Sequence, residues 1–243
     1  MPNHSLVKSP QLYARVGGAL YVVVIILGVL AELFVRGKLV VYGDAAATAN
    51  NIIAHDSLYR FGFAAELIES LCTAFLVLIF YELFKVVSRP VALLVLFFSI
   101  IGTTIGVVNL LNHLAPLKLL SGAAYLNVIP IEQLQAQAYL SLRLFEFGFA
   151  LSLVFFGFFC IFQGYLIYNS GFMPRIIGIL LAIQGVCYLS NSFINFLAPS
   201  YSGIAFNILA ISVVGEVSLS LWLLIKGVDV KKWHAKARIL EHA

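Results

Sequence analysis

Six ionisable residues stand inside long apolar runs of this sequence, where a charged side chain is out of place. They are Arg60, Glu66, Glu69, Arg143, Glu146 and Glu216. An ionised carboxylate in hydrocarbon costs about 2.5 to 3.5 kcal/mol on insertion scales. Residues three apart on a helix share a face, so Glu66 lies beside Glu69 and Arg143 beside Glu146. We therefore expect the glutamates to face other helices or a wet cavity, with Arg60 and Arg143 as their partners.

Two further apolar runs carry stripes of uncharged polar side chains. Asn109, Asn112 and His113 stand at i, i+3 and i+4, which places them on one face of a helix. Asn191 and Asn195 stand at i and i+4 in a later run. If the helices pack alike, these groups and the charges converge in the outer half of a membrane.

Two hypotheses follow from this polar set. The first is a polar, outward-facing intramembrane site for a small solute or a lipid headgroup, used in transport or sensing. The second is a structural or regulatory membrane subunit, in which the same groups form interhelical hydrogen bonds and ion pairs. Each such hydrogen bond contributes about 0.6 to 2 kcal/mol.

Enzyme motifs are absent from the sequence. It contains no His-Glu-x-x-His, no Gly-x-Ser-x-Gly, no phosphate-binding glycine-rich loop and no clustered His/Cys metal set. We therefore expect no metal and no cofactor. An intramembrane enzyme built from Glu, His and Asn on separate helices is the third hypothesis, since such sites need not be contiguous in sequence.

The composition assigns the fold class. Of 243 residues, 62% are hydrophobic and 11% are charged, against about 25% charged in soluble domains. A bilayer span takes about 20 apolar residues. The chain is thus predicted to be an all-α integral membrane protein, a single transmembrane domain over residues 1–243.

Six apolar windows are predicted to be transmembrane helices. They lie near residues 13–35, 58–84, 90–118, 139–168, 173–197 and 204–226. Short and long connections alternate between them, which favours three helical hairpins. A shift of 83 residues superimposes Arg60 on Arg143 and Asn112 on Asn195, a weak internal repeat.

The basic residues indicate the orientation. The N-terminus, the tail and the two short connections, residues 85–89 and 169–172, are placed on one side of the membrane. Ten of the fifteen Lys and Arg then fall on that side. These ten are Lys8, Arg15, Lys85, Arg89, Arg175, Lys226, Lys231, Lys232, Lys236 and Arg238. The positive-inside rule then places both termini in the cytoplasm, with residues 227–243 as a basic, solvated tail. The predicted partner is the lipid bilayer, with no nucleic acid, and a protein partner is left open.

Two long outer loops carry helix signals. Asp44 precedes an Ala-rich stretch and is predicted to cap a short helix there. Pro130 suits a first helical position and Glu132 adds charge to that first turn. We expect the second helix to run straight into the fourth span.

The chain resembles a known membrane family at a set of spaced residues. These are Arg15-x-x-Gly18-x-Leu20-Tyr21, Gly28, Gly43-Asp44-Ala45-x-x-Thr48-Ala49-x-Asn51-Ile52 and Leu58-x-Arg60. From about residue 10 to about residue 225, it resembles the bacterial family labelled domain of unknown function 4386. The resemblance implies a bacterial multi-helix protein of the cytoplasmic membrane and carries no activity. We interpret Asp44 and Thr48 as capping and turn residues and Asn51 as a tie to the bundle, rather than as ligand contacts.

Overall fold

The protein is built from α-helices joined by loops, in a computed structural model that describes residues 9–241. Lys8 of the predicted orientation signal and residues 242–243 of the predicted tail lie outside this range. Within it no strand occurs. The helices are α1 (Pro10–Leu39), α2 (Ala45–Ala54), α3 (Asp56–Phe84), α4 (Arg89–Leu119), α5 (Ile131–Ser170), α6 (Arg175–Leu197), α7 (Ser202–Ile225) and α8 (Val230–Glu241).

Six of these helices are long and apolar enough to cross a membrane, namely α1, α3, α4, α5, α6 and α7. Large apolar side chains such as Phe97 and Leu111 stand exposed on the surface of α4. Exposed apolar surface of this extent is stable in lipid and not in water. The six predicted spans and the all-α class are confirmed, and the chain is a multi-pass membrane protein.

The C-terminal part of α1 contains a π-helical turn from Leu30 to Arg36. Its hydrogen bonding steps back five residues, so that the N–H of Gly37 donates to the carbonyl oxygen of Glu32. Such turns are rare and are frequent at functional sites. The chain stays helical through this turn to Leu39, so α1 extends beyond residue 35, the predicted end of the first span.

The connection between α1 and α3 has the structure that its sequence predicts. The Asp44 carboxylate accepts a hydrogen bond from the Ala47 N–H at 2.8 Å and so caps α2. The Thr48 hydroxyl accepts from the Val41 N–H at 2.9 Å, and the Asn51 amide donates to the Leu39 carbonyl at 3.2 Å. The predicted capping and tying roles of Asp44, Thr48 and Asn51 are confirmed.

The connection between α4 and α5 ends in the predicted long helix. The helix α5 begins at Ile131, directly after Pro130, and continues for 40 residues to Ser170. Proline suits the start of a helix because its missing N–H would have no partner there. The prediction of one helix that runs from the loop into the fourth span is confirmed.

The residues group into two compact units. Unit 1 comprises Met1–Ile25, Cys72–Thr103 and Ala150–Ala243, of which the structure describes the part between residues 9 and 241. Unit 2 comprises Ile26–Leu71 and Thr104–Phe149. The helices α1, α3, α4 and α5 each contribute residues to both units.

Aromatic contacts form the core of unit 1. Phe80 on α3 packs edge-on against Tyr21 on α1, with ring centroids 6.1 Å apart, and stacks on Phe159 of α5 at 6.4 Å. The C-terminal helix α8 joins this core through Trp233, which is 2% exposed and donates its indole N–H to the Leu83 carbonyl at 2.9 Å. Residues 230–241 are therefore a docked helix, which the sequence analysis treated only as a basic tail.

Replacing Trp233 tests whether α8 is part of the folded core. We expect Trp233→Ala to lower the free energy of unfolding by about 3 to 5 kcal/mol, because a buried aromatic side chain leaves a cavity. Thermal unfolding of the detergent-purified protein measures the change. Ile239→Ala is the matched control, since Ile239 lies on the same helix and is 70% exposed. Equal unfolding temperatures for the two variants would mean that α8 is not docked.

Candidate functional site

Glu66 is the centre of the best-connected polar group in unit 2. Its two carboxylate oxygens have different partners from different helices. Arg36 on α1 forms an ion pair with Oε1, and Nδ1 of His113 on α4 lies 2.8 Å from Oε2. Two donors on one carboxylate compensate its charge, as a glutamate within a membrane span requires.

Arg36 joins a second carboxylate to this group. Its guanidinium pairs with Glu32, one turn earlier on α1, and stacks over the Phe145 ring at 4.8 Å from the centroid. Glu32 and Arg36 both belong to the π-helical turn. Glu32, Arg36, Glu66 and His113 are called the Glu66 cluster below.

The sequence analysis made Arg60 a partner of the glutamates, and this assignment is wrong, because Arg36, just beyond the predicted first span, pairs with Glu66 instead. The π-helical turn keeps Arg36 helical and directs it to Glu66. Arg60 instead pairs at 2.7 Å with Asp56, one turn earlier on α3, and its side chain is 62% exposed. A partner four residues away on the same helix is within reach whatever the packing, and it keeps Arg60 out of the cluster.

His113 is the most deeply buried member of the Glu66 cluster. Its side chain has no exposed surface, and its ring lies among Tyr59, Phe63 and Phe145 at centroid distances of 4.5, 6.2 and 5.5 Å. In the tautomer whose Nδ1 carries the proton toward Oε2 of Glu66, at 2.8 Å, Nε2 is an acceptor. Nε2 is buried and has no hydrogen-bond partner among the described residues.

The asparagines of α4 connect helices. The Asn109 amide donates to the Phe145 carbonyl on α5 at 2.7 Å, and the Asn112 amide donates to Asn109 at 3.0 Å. A Cβ atom at position 148 would lie 2.2 Å from the Asn109 side-chain oxygen, so only a glycine fits at this position. Sequence reasoning missed Gly148, whose only signal is a glycine between two phenylalanines.

Arg143 and Glu146 form the predicted ion pair on α5. Tyr42, in the loop after α1, lies under the Arg143 guanidinium at 5.7 Å from the ring centroid and hydrogen-bonds Glu146. Partial desolvation and the Glu146 carboxylate raise the pKa of Tyr42 to about 12. The tyrosine hydroxyl therefore remains a proton donor to Glu146 at neutral pH.

Glu69 lies one turn after Glu66 on α3 and turns toward α1. A Cβ atom added to Gly28 would lie 3.5 Å from its Oε2 atom, an ordinary van der Waals distance. The predicted shared face of Glu66 and Glu69 thus holds, since both side chains point to α1.

The remaining predicted site residues, Asn191, Asn195 and Glu216, belong to unit 1. The Asn195 amide donates to the Asn191 carbonyl one turn earlier, at 2.9 Å. Glu216 on α7 accepts hydrogen bonds from Gln184 and Tyr188, both on α6. Sequence reasoning missed Gln184, although an uncharged polar residue in an apolar run is the same signal that singled out Asn191.

Metal chemistry has no visible basis in the described part of the chain. No group of three or more His, Cys, Asp or Glu side chains is arranged there to hold a metal ion. The cluster brings together two carboxylates, one guanidinium and one imidazole. Such a set can hold a polar ligand by hydrogen bonds and charge, and can exchange a proton through the imidazole.

The ion pairs of Arg36 and Arg60 are expected to differ in their contribution to stability. Arg36→Ala removes the guanidinium from the buried Glu66 carboxylate, which lowers the free energy of unfolding by about 3 to 5 kcal/mol. Arg60→Ala breaks an exposed pair, which contributes about 0 to 1 kcal/mol. Thermal unfolding in detergent compares the two variants with wild type. An Arg60 variant as unstable as the Arg36 variant would contradict the assignment of Arg36 as the partner of Glu66.

Comparisons with known proteins identify relatives of the chain. A family model described as "Domain of unknown function (DUF4386)" matches residues 16–227, in agreement with the resemblance seen in the sequence. An "Uncharacterized protein" of Archaeoglobus fulgidus is 36% identical over 77 residues, which cover 32% of this chain and 44% of that protein. The chain therefore spans less than half the length of the curated relative it matches. No solved structure matches.

Proposed function

The chain belongs to the family of the domain of unknown function DUF4386, and we propose that it binds a small polar solute or a lipid headgroup at the Glu66 cluster. The protein acts in this proposal as a non-enzymatic transporter or sensor in the membrane. The ligand offers a hydroxyl or ammonium group as a hydrogen-bond donor.

The observation that carries the proposal is the open acceptor on His113. A buried polar atom without a hydrogen-bond partner costs about 1 to 3 kcal/mol. Nδ1 lies 2.8 Å from Oε2 of Glu66, whereas Nε2 has neither a carboxylate contact of this kind nor a hydrogen-bond partner among the described residues. A ligand donor at Nε2 would satisfy a buried ring nitrogen that the described residues leave without a hydrogen-bond partner.

The exposure of the cluster supports a direction of entry. Side-chain exposure falls from 51% at Glu32 to 13% at Arg36, 10% at Glu66 and zero at His113. An ionised Glu32 is unstable against lipid tails, so its exposed side faces water or headgroups. A ligand would therefore approach at Glu32 and reach His113 last.

The charge of the cluster supports a neutral or cationic ligand. In the proposed site His113 is an acceptor at Nε2 and therefore neutral, while Glu32 and Glu66 each carry one negative charge and Arg36 carries one positive charge. One negative charge therefore remains. An ammonium group is attracted to such a site, whereas a phosphate or carboxylate is repelled.

A structural role is the second candidate, and a specific observation favours it. Glu66, Arg36 and Glu32 pair with one another within unit 2. A cavity in unit 2 of about 380 Å³ is lined by loop and helix-end residues, among them Leu120, Leu126 and Ile131, and by no member of the cluster. In this candidate the ion pairs hold α1, α3 and α4 together and bind nothing.

A substitution at His113 distinguishes binding from structure. In His113→Asn the amide nitrogen takes the place of Nδ1 and still donates to Glu66, while the Nε2 position is lost. We expect wild type to retain a hydroxyl- or amine-bearing molecule through purification. The variant should lose that molecule with little change in unfolding temperature. Native mass spectrometry and thermal unfolding measure the two quantities.

The matched control is His55→Asn, because His55 is exposed in the same unit. It should retain whatever wild type retains. A wild-type protein that carries no specific molecule, together with a His113→Ala variant that melts much earlier, would favour the structural candidate and contradict binding.

We further propose that the protein resides in a bacterial cytoplasmic membrane with both termini inside. The support is the placement of Lys85, Arg89 and Arg175 at the short connections, on the side that the positive-inside rule assigns to the cytoplasm. Six spans then return the C-terminus to the side of the N-terminus.

Cysteine labelling tests this orientation. In a background whose native cysteines are alanine, an impermeant maleimide added to intact cells should label Tyr125→Cys and leave Lys231→Cys unlabelled. Both positions are exposed, so access depends on the side of the membrane. Labelling of Lys231→Cys alone would reverse the proposed orientation.

A further inference from the structure

Glu216 is a carboxylate within a membrane span that has only neutral hydrogen-bond donors. The Gln184 amide donates to its Oε1 atom at 2.8 Å, and the Tyr188 hydroxyl donates to the same atom. Among the described residues no lysine, arginine or histidine pairs with it. Glu66, in contrast, has both a guanidinium and an imidazole.

The titratable groups that face Glu216 are also uncharged at neutral pH. They are Tyr188 on α6, Tyr21 on α1 and Cys160 on α5. All three are buried in the core of unit 1. Nothing in these surroundings compensates a negative charge, and an uncompensated carboxylate is costly in a membrane interior.

The hydrogen bonds of Glu216 fit the neutral acid. Both donors converge on Oε1, so Oε2 is available to carry a proton while the two hydrogen bonds persist. A charge would need more or stronger donors, whereas the neutral group needs no cation.

Gln184 is held so that its amide serves this carboxyl group. Its side-chain oxygen is buried and has no hydrogen-bond partner among the described residues. A Cβ atom at position 215 would lie 2.5 Å from this oxygen, so Gly215 makes room for it. The amide nitrogen is thereby directed at Glu216, at the expense of an unsatisfied oxygen beside the carboxyl group.

We propose that Glu216 is a proton-binding site, which carries a proton at neutral pH and releases it only when a cation compensates the negative charge or when the medium is alkaline. The ligand of the site is the proton itself. The inference concerns unit 1 and goes beyond the proposed ligand site at the Glu66 cluster. It holds or fails independently of that site.

A carbodiimide tests the protonation directly. Dicyclohexylcarbodiimide reacts with a protonated carboxyl group in apolar surroundings. The acid proton moves to one carbodiimide nitrogen, the carboxylate oxygen bonds to the central carbon, and migration of the acyl group to nitrogen gives a stable N-acylurea. No atom leaves, so the peptide gains the mass of one reagent molecule.

The detergent-purified wild-type protein should gain this mass on the peptide that contains Glu216 at neutral pH. Glu216 is half-buried, so a lipid-soluble reagent reaches it. Labelling should decline as the medium becomes alkaline, because the reactive form is the protonated one. The peptide that contains Glu66 should remain unlabelled, since an ion-paired carboxylate lacks the proton that the reaction needs.

Two variants complete the experiment. Glu216→Gln should abolish the label and keep the wild-type unfolding temperature, because an amide is the neutral isostere of the protonated acid. Glu66→Gln should leave the label at Glu216 unchanged. Absence of label at Glu216 in folded wild type at neutral pH, or a label that is independent of pH, would overturn the proposal.

Discussion

The cost of an ionised group in hydrocarbon is the constraint on which the polar interior of this protein depends. A carboxylate within a membrane span needs a compensating charge, strong donors or a proton. The chain places Glu66 and Glu216 in spans and gives them opposite surroundings. Glu66 has a guanidinium and an imidazole, whereas Glu216 has an amide and a phenol. Two residues of one type are thereby suited to different chemistry.

Backbone irregularities make these arrangements possible. The π-helical turn at the end of α1 brings Glu32 and Arg36 onto Glu66. Glycines do the same for uncharged groups, because Gly148 admits the side chain of Asn109 between helices. The π-helical turn and Gly148 are both local departures from regular helix packing. Each makes room for a polar side chain between helices.

The residues that carry the family resemblance are mainly structural. Asp44 caps α2, Thr48 closes the preceding turn and Asn51 ties the loop helix to α1. Arg60 forms an exposed pair with Asp56. The open hydrogen-bonding position of the Glu66 cluster is on His113, which that resemblance does not include. The fold-defining pattern and the proposed binding site therefore do not share residues.

The sequence by itself determined the class of the protein, its six spans and its loop helices. Apolar length and capping residues act within a few turns of one helix, so Asp44 and Pro130 predict helix starts without knowledge of packing. The pair of Arg143 with Glu146 was predictable for the same reason, since its partners are three residues apart. The hairpin arrangement and the internal repeat stay predictions.

Only the tertiary structure decided which charges meet across helices. Arg36 and Glu66 are 30 residues apart in sequence, and Glu216 lies 32 residues from Gln184. Such contacts depend on helix rotation, which the π-helical turn changes without a sign in the sequence. The spacing of residues along one helix shows which side chains share a face and not which helix packs against that face. The partner predicted for Arg60 was wrong for this reason. Whether Nε2 of His113 has a hydrogen-bond partner likewise depends on the residues packed around it, and the sequence of one helix does not show this.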